Sequence, residues 1–174
     1  MEKIYKYRLG KFVLYSSMLH ILLFVVLGVV VSIFTPEGGY ILAWFCSLIL
    51  AVLALMTLSI PRRVVVDDEG IEIQCLAEDT TFTYQDIAHI RKVKSSTLRS
   101  CLPLFGAVGF FGYYGRFFNL RTMEVVYIYA SRWDKFVEIT DTEGRKYYIS
   151  CEEQEDIIER VEGYINHLDT QENI

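Results

Sequence analysis

Two long blocks without a formal charge, close together near the N-terminus, limit what this chain can fold into more than any other feature. The first is FVLYSSMLHILLFVVLGVVVSIF, Phe12 to Phe34; the second is YILAWFCSLILAVLALMTLSI, Tyr40 to Ile60. As α-helices each rises roughly 30–35 Å at 1.5 Å per residue, enough for the hydrocarbon core of a bilayer. The first is too long for the apolar region of a cleaved signal peptide, and no small-x-small cleavage site follows it. Both are therefore expected to cross a membrane. The link Thr35-Pro36-Glu37-Gly38-Gly39 stops one helix and permits a tight reversal, so the pair reads as a helical hairpin. Ala43, Ser47 and Ala51 stand four apart and offer a seam for close helix packing.

Basic residues in the short flanks set the orientation. Lys3, Lys6, Arg8 and Lys11 precede the first block, Arg62 and Arg63 follow the second, and the link has none. Both termini are expected in the cytoplasm of a bacterial cell, with a multi-pass anchor in its inner membrane. His20 lies in the cytoplasmic half of the first span, with Ser16 and Ser17 near enough to partner it. The chain is 52% hydrophobic. The excess over ordinary soluble composition sits in the two blocks, which leaves a soluble remainder. The expected division is a basic N-terminus (1–11), spans at 12–34 and 40–60, a cytoplasmic domain at 61–169 and a disordered tail at 170–174.

From Arg62 onward the apolar period changes to two, the signature of strands. Candidates are Arg62–Asp67, Ile71–Cys75, Thr80–Tyr84, Ala88–Lys94, Val125–Ala130, Phe136–Thr140 and Lys146–Ser150. The first two form a hairpin through Asp67-Asp68-Glu69-Gly70. A helix follows, with Ser150 and Glu153 spaced as a capping box. Glu152, Glu153, Glu155 and Asp156 suit the positive end of its dipole, and Ile157, Ile158, Val161, Tyr164, Ile165 and Leu168 form its apolar stripe.

One stretch resists both periods: GAVGFFGYYGRFFN, Gly106 to Asn119. Glycine recurs every third place with paired aromatics between, which is neither a strand's period nor a true helical one. It is expected to be an irregular, close-packed connection between the fourth and fifth strands. Its rings either form a lid on the domain's own open side or press on the membrane nearby.

Seven strands and a closing helix, with Tyr84-x-Asp86-Ile87-x-x-Ile90, the run Gly109–Asn119 and the segment Gly144–Ser150, resemble bacterial membrane proteins that carry a pleckstrin-homology-like (PH-like) domain after a transmembrane hairpin. The resemblance covers roughly residues 60–168. It implies a bent barrel of seven antiparallel strands plugged by the C-terminal α-helix. Lipid-binding members of the wider superfamily place basic residues in the loop between the first two strands. Here that loop is Asp67-Asp68-Glu69-Gly70, which repels phosphate. Similar membrane-anchored proteins include bacteriocin-immunity proteins, so an immunity or stress role acting through the transmembrane hairpin is the alternative reading.

Catalytic chemistry has no foothold in the sequence. His20, His89 and His167 are scattered, and no nucleophile elbow, metal-binding helix motif or phosphate loop occurs. The glycines at 106, 109, 112 and 115 match no nucleotide-binding spacing. No enzyme activity, metal or cofactor is expected. Cys46, Cys75, Cys101 and Cys151 have no metal-ligand spacing and are expected to be thiols in a reducing compartment.

Charge is segregated. The net charge is −5, yet no acidic residue lies between Asp86 and Glu124, an interval that holds Arg91, Lys92, Lys94, Arg99, Arg116 and Arg121. Basic residues near anionic lipid contribute about 1 kcal/mol each, and aromatic rings favour the membrane interface. With Phe110, Phe111, Tyr113, Tyr114, Phe117 and Phe118, these six are the candidate membrane- or partner-contact residues. The expected partners are membrane lipids, a protein or peptide, or a second copy of the chain, and not nucleic acid.

Overall fold

The period-two segments become strands close to where the pattern puts them. The computed structural model describes residues 3–34, 39–58, 60–75 and 79–172. Its elements are β1 (Lys3–Lys6), α1 (Lys11–Phe34), α2 (Gly39–Leu58), β2 (Arg63–Val66), β3 (Gly70–Gln74), β4 (Thr80–Thr83), β5 (Ile87–Val93), β6 (Cys101–Val108), β7 (Tyr113–Asn119), β8 (Glu124–Ala130), β9 (Phe136–Asp141), β10 (Lys146–Ser150) and α3 (Gln154–Glu172). The link at residues 35–38, where the reversal is expected, lies outside the described residues.

The barrel of seven antiparallel strands is corrected to ten strands in two sheets, ordered β1-β2-β3-β4 and β5-β9-β10-β8-β7-β6. One pairing, β10 with β8, is parallel. Three strands escaped the pattern. β1 is four residues long and alternates with lysines; β6 and β7 carry the proline and glycines that ordinarily argue against a strand. The stretch Gly106–Asn119 is therefore no irregular connection. It is the end of β6, a turn, and β7, paired from Cys101↔Asn119 to Val108↔Tyr113.

β1 has a further consequence. It pairs antiparallel with β2, Lys6 opposite Arg63 and Lys3 opposite Val66. Both apolar helices are thus an insertion between two neighbouring strands of one sheet. α1 and α2 lie against each other, but Ala43, Ser47 and Ala51 are exposed. The partly shielded positions are Leu42, Phe45, Ile49 and Leu53 on α2, and Phe24, Gly28 and Val31 on α1. The shielded positions on α2 are thus bulky ones, and Ala43, Ser47 and Ala51 are not among them.

Two cores result from strict alternation on the six-stranded sheet. Val137, Ile139, Tyr147 and Ile149 point into the first, where they meet Val64, Val66, Ile71, Ile73 and Phe82 of the other sheet, and Ile157 and Val161 of α3. Phe136, Tyr148, Val126, Ile128 and Ala130 point the other way, into a second core shared with Phe117, Leu98 and Val13 of α1. A sheet covered on both faces explains why β8 and β10 read as nearly continuous apolar runs.

The capping box does not form. Ser150 ends β10, where its Oγ accepts the Ser131 N–H at 3.0 Å. α3 begins later, and the Glu153 carbonyl accepts its first bond from Ile157 at 3.1 Å. The acidic first turn instead holds β1. Lys3 Nζ reaches Asp156 at 2.7 Å and Glu153 at 3.1 Å, and the Tyr5 hydroxyl donates to Asp156. These two donors hold the Asp156 carboxyl below its ordinary range.

Glu138 is 3% exposed on β9. It is paired with Arg91 at 2.7 Å and accepts the Tyr148 hydroxyl at 2.8 Å. At the β9–β10 turn, burial pushes the Asp141 carboxyl up, but the Arg145 side chain and the backbone N–H groups of Arg145 and Glu143 outweigh it and leave it below the usual value. A depressed folded-state pKa contributes stability above the unfolded value, about 3.9 for Asp, and loses it as pH falls through the lower folded value. Asp141→Asn is therefore expected to weaken the protein at pH ~7 and to converge with the parent protein only well below pH ~4, past the lowered folded value. Denaturant unfolding at both pH values measures the difference.

Candidate membrane and partner-contact site

The candidate site is built where α1 leaves the β-domain. The segment between β1 and α1 is fastened on several sides. The Tyr7 hydroxyl donates to the Tyr129 carbonyl at 3.0 Å, and the Ser131 hydroxyl donates to the Arg8 carbonyl at 2.9 Å. Arg8 pairs with Glu152 at 3.3 Å, while Arg132 reaches the same carboxylate at 2.7 Å. The Gly10 N–H bonds the Ser131 carbonyl at 3.3 Å, and the Gly10 carbonyl accepts the first helical bond of α1. The helix consequently leaves the domain in a fixed direction.

Its first turns are then clasped by the tip of the β6–β7 hairpin. Ser17, which is buried, accepts the Phe111 N–H at 2.8 Å. Its own hydrogen goes to the Val13 carbonyl at 2.7 Å, with the Gly109 carbonyl 3.4 Å away. Gly109, in the turn, holds a left-handed φ of +75° that favours glycine, and a side chain there would crowd Ser16 Oγ at 2.7 Å. Phe111 holds a left-handed φ of +51°, which costs about 1–2 kcal/mol and is offset by its bond to Ser17. Phe110 meets the His20 ring edge-on at 6.3 Å between centroids, and His20 Nδ1 lies 2.7 Å from the Ser16 carbonyl. Ser17→Ala leaves the part-buried Phe111 N–H without its acceptor and is expected to cost about 1 kcal/mol. Faster hydrogen exchange confined to Gly109–Gly112 is the matching local readout.

The candidate aromatics divide accordingly. Phe110, Tyr113, Tyr114 and Phe117 are buried inside the protein. Burial pushes the Tyr114 phenol up to about 12. Phe111 and Phe118 are half-buried. The glycine–aromatic run thus covers its own sheet and the foot of α1.

The basic residues do not make one patch. β5 and β6 are opposite edges of the six-stranded sheet, with four strands between them. Arg91 on β5 is committed to Glu138 and Lys92 to Glu155. Lys94 and Arg99 are exposed at either end of the 3-10 turn Ser95–Ser100. Arg116 is exposed on β7, 5.7 Å from the Tyr127 ring. Arg121 is exposed beyond β7, its N–H bonded to Asn119 Oδ1 at 3.0 Å. Lys94, Arg99, Arg116 and Arg121 take part in no ion pair among the described residues.

Apolar residues outside the candidate set are exposed beside it. Leu102, Leu104, Phe105 and Val108 line β6, the outermost strand of its sheet, and Phe105 is 83% exposed. They lie between Arg99 and Arg116, a run with no charged residue.

The remaining chemistry is sparse. His89 lies exposed on β5 and His167 exposed on α3, far in sequence from His20. No group of His, Cys, Asp and Glu suited to a metal occurs among the described residues. No disulfide joins the four cysteines, and burial pushes the Cys151 thiol up, away from the reactive thiolate. Within the described residues one helix, Lys11–Phe34, is long and apolar enough to cross a membrane; the apolar stretch Gly39–Leu55 is shorter.

Comparison with curated proteins and with solved structures finds no match. A family model, described as a bacterial PH domain, matches residues 62–165, from the residue before β2 to within α3. That is more than half of the chain, and it holds the β6–β7 hairpin that clasps α1 and most of both cores, Tyr5 and Val13 lying outside it. The protein belongs to the bacterial PH domain family.

Proposed function

We propose that this is a non-enzymatic integral membrane protein of the bacterial inner membrane, crossing it twice, whose PH-like domain rests on the cytoplasmic leaflet and receives a protein or peptide partner there. The observation that carries the reading is the β1–β2 pairing across the helical insertion. A chain that leaves the domain after Lys6 and re-enters the same ladder at Arg63 must return to the side it left. One crossing by α1 therefore calls for a second by α2. At 20 residues, α2 rises about 30 Å, matching a bilayer core.

The side is supported by Lys3, Lys6, Arg8, Lys11, Arg62 and Arg63, which flank the two helices along the chain. A domain held there needs only weak further contacts, because tethering raises its effective concentration at the surface. The open edge of β6 offers backbone groups for strand addition by a peptide.

The test is labelling by a membrane-impermeant maleimide of Glu37→Cys and Glu69→Cys in the full chain, with the native cysteines replaced by alanine. In intact cells Glu37→Cys is expected to react and Glu69→Cys to react only after permeabilisation. Reaction of both from the same side overturns the two-span reading.

A further inference from the structure

We infer that the tip of the β6–β7 hairpin is itself a lipid-contacting element, inserted into the cytoplasmic leaflet beside α1. The inference rests on the membrane-crossing reading of α1 and follows from the level at which the hairpin grips that helix. The tip touches α1 at Ser16, Ser17 and His20. His20 is nine residues beyond Lys11, the first residue of α1, which is about 13 Å along the axis at 1.5 Å per residue. From His20 to Phe34, the last residue, the helix rises only about 21 Å, well short of the ~30 Å hydrocarbon core. If α1 crosses, lipid must begin before His20, and whatever lies against His20 lies within the leaflet.

Local chemistry agrees with that position. No charged residue occurs from Ser100 to Tyr114, nor at Gly115. Val108, the last residue of β6 before the tip, is exposed, as are Phe12, Tyr15 and Leu19 in the first turns of α1. Backbone polar groups in a low-dielectric layer must be bonded within the protein. At the tip they are: the Phe111 N–H reaches Ser17, and the Gly109 N–H reaches the Gly112 carbonyl at 2.9 Å.

The hairpin also leaves the leaflet at the right place. Contacts step back along α1 from His20 to Ser17 to Val13 as the hairpin steps from Phe110 to Phe111 to Tyr113, which shares the second core with Val13. Arg116 follows three residues later, about 10 Å farther along the strand. That carries it past the foot of α1 to the headgroup level, where a cation is attracted to anionic lipid.

The test uses the native full chain in phosphatidylcholine–phosphatidylglycerol vesicles containing a phospholipid with a diazirine in its acyl chain. Trypsin separates the two regions, because Ser100–Arg116 and Phe12–Arg62 each run between basic residues without an internal cleavage site. Photolysis followed by mass spectrometry is expected to find lipid on both peptides. Lipid on Phe12–Arg62 alone overturns the hairpin insertion and leaves the membrane reading intact. Lipid on neither overturns the membrane reading itself.

Discussion

Alanine at Gly115 is expected to unpair the β6–β7 hairpin at a cost of roughly 3–5 kcal/mol, combining backbone strain with overpacking. Gly115 holds φ +115°, and a Cβ there would lie 2.2 Å from the Phe105 carbonyl oxygen and 2.7 Å from the Gly106 Cα. Those are backbone atoms, and none can swing aside as a side-chain end does. Gly106, its cross-strand partner, is equally tight: a Cβ at its φ of +142° would meet the Tyr114 carbonyl oxygen at 2.0 Å. The two glycines are therefore one device that lets two strands bend close together. Gly144→Ala is the control, because its φ is +82° but nothing lies within 4 Å. There only the left-handed conformation is penalised, at about 1–2 kcal/mol. Denaturant unfolding in detergent compares the two, and equal losses would show that crowding is not the cause.

Phe117→Ala has the second large expected effect, about 3–5 kcal/mol, the range for a fully buried phenylalanine. Phe117 is 1% exposed, and the core it fills also holds Val13 of α1. A cavity there undermines both the sheet and the seat of the helix. Hydrogen exchange at Gly109–Gly112 is expected to quicken along with the global loss. Phe105→Ala makes the contrast. That ring is the most exposed on β6, and its removal is expected to stay within about 0.5 kcal/mol in detergent. Two phenylalanines twelve positions apart thus separate a packing role from a surface role. A large loss at Phe105, or a negligible one at Phe117, would reverse that assignment.

Much of the β-domain is legible because its strands alternate. Lys146–Ser150 is β10 residue for residue, and Val125–Ala130 and Phe136–Thr140 each fall one residue short of β8 and β9. The helix stripe Ile157 and Val161 does face the core. Boundaries fail where a side chain has a tertiary partner to prefer. Ser150 could cap a helix, yet its hydroxyl serves the Ser131 N–H, and α3 starts at Gln154. β6 and β7 fail for the opposite reason: Pro103, Gly106 and Gly115 are poor strand residues alone, and only cross-strand pairing makes them a ladder.

The site was legible as composition and not as geometry. The interval from Asp86 to Glu124 is visibly basic and aromatic. Nothing in it reveals that Arg91 and Lys92 go to one edge of a sheet while Arg116 goes toward the other. Nor does it reveal that Phe110, Tyr113, Tyr114 and Phe117 turn inward while Phe105 stays out.

By itself the sequence determined the local preferences of this protein: two charge-free apolar blocks, the period-two run after Arg62, the amphipathic final helix, and the family to which residues 62–165 belong. These depend on near neighbours along the chain, and periodicity reports them directly. Only the tertiary structure decided that Lys3–Lys6 closes a sheet with Arg63–Val66 across both helices, and that β8 pairs in parallel with β10. It alone seated the hairpin tip on Ser17. Such contacts join residues as far as 94 positions apart or reverse a local tendency, and they form because backbone groups and apolar surface must be satisfied by whatever the fold brings near.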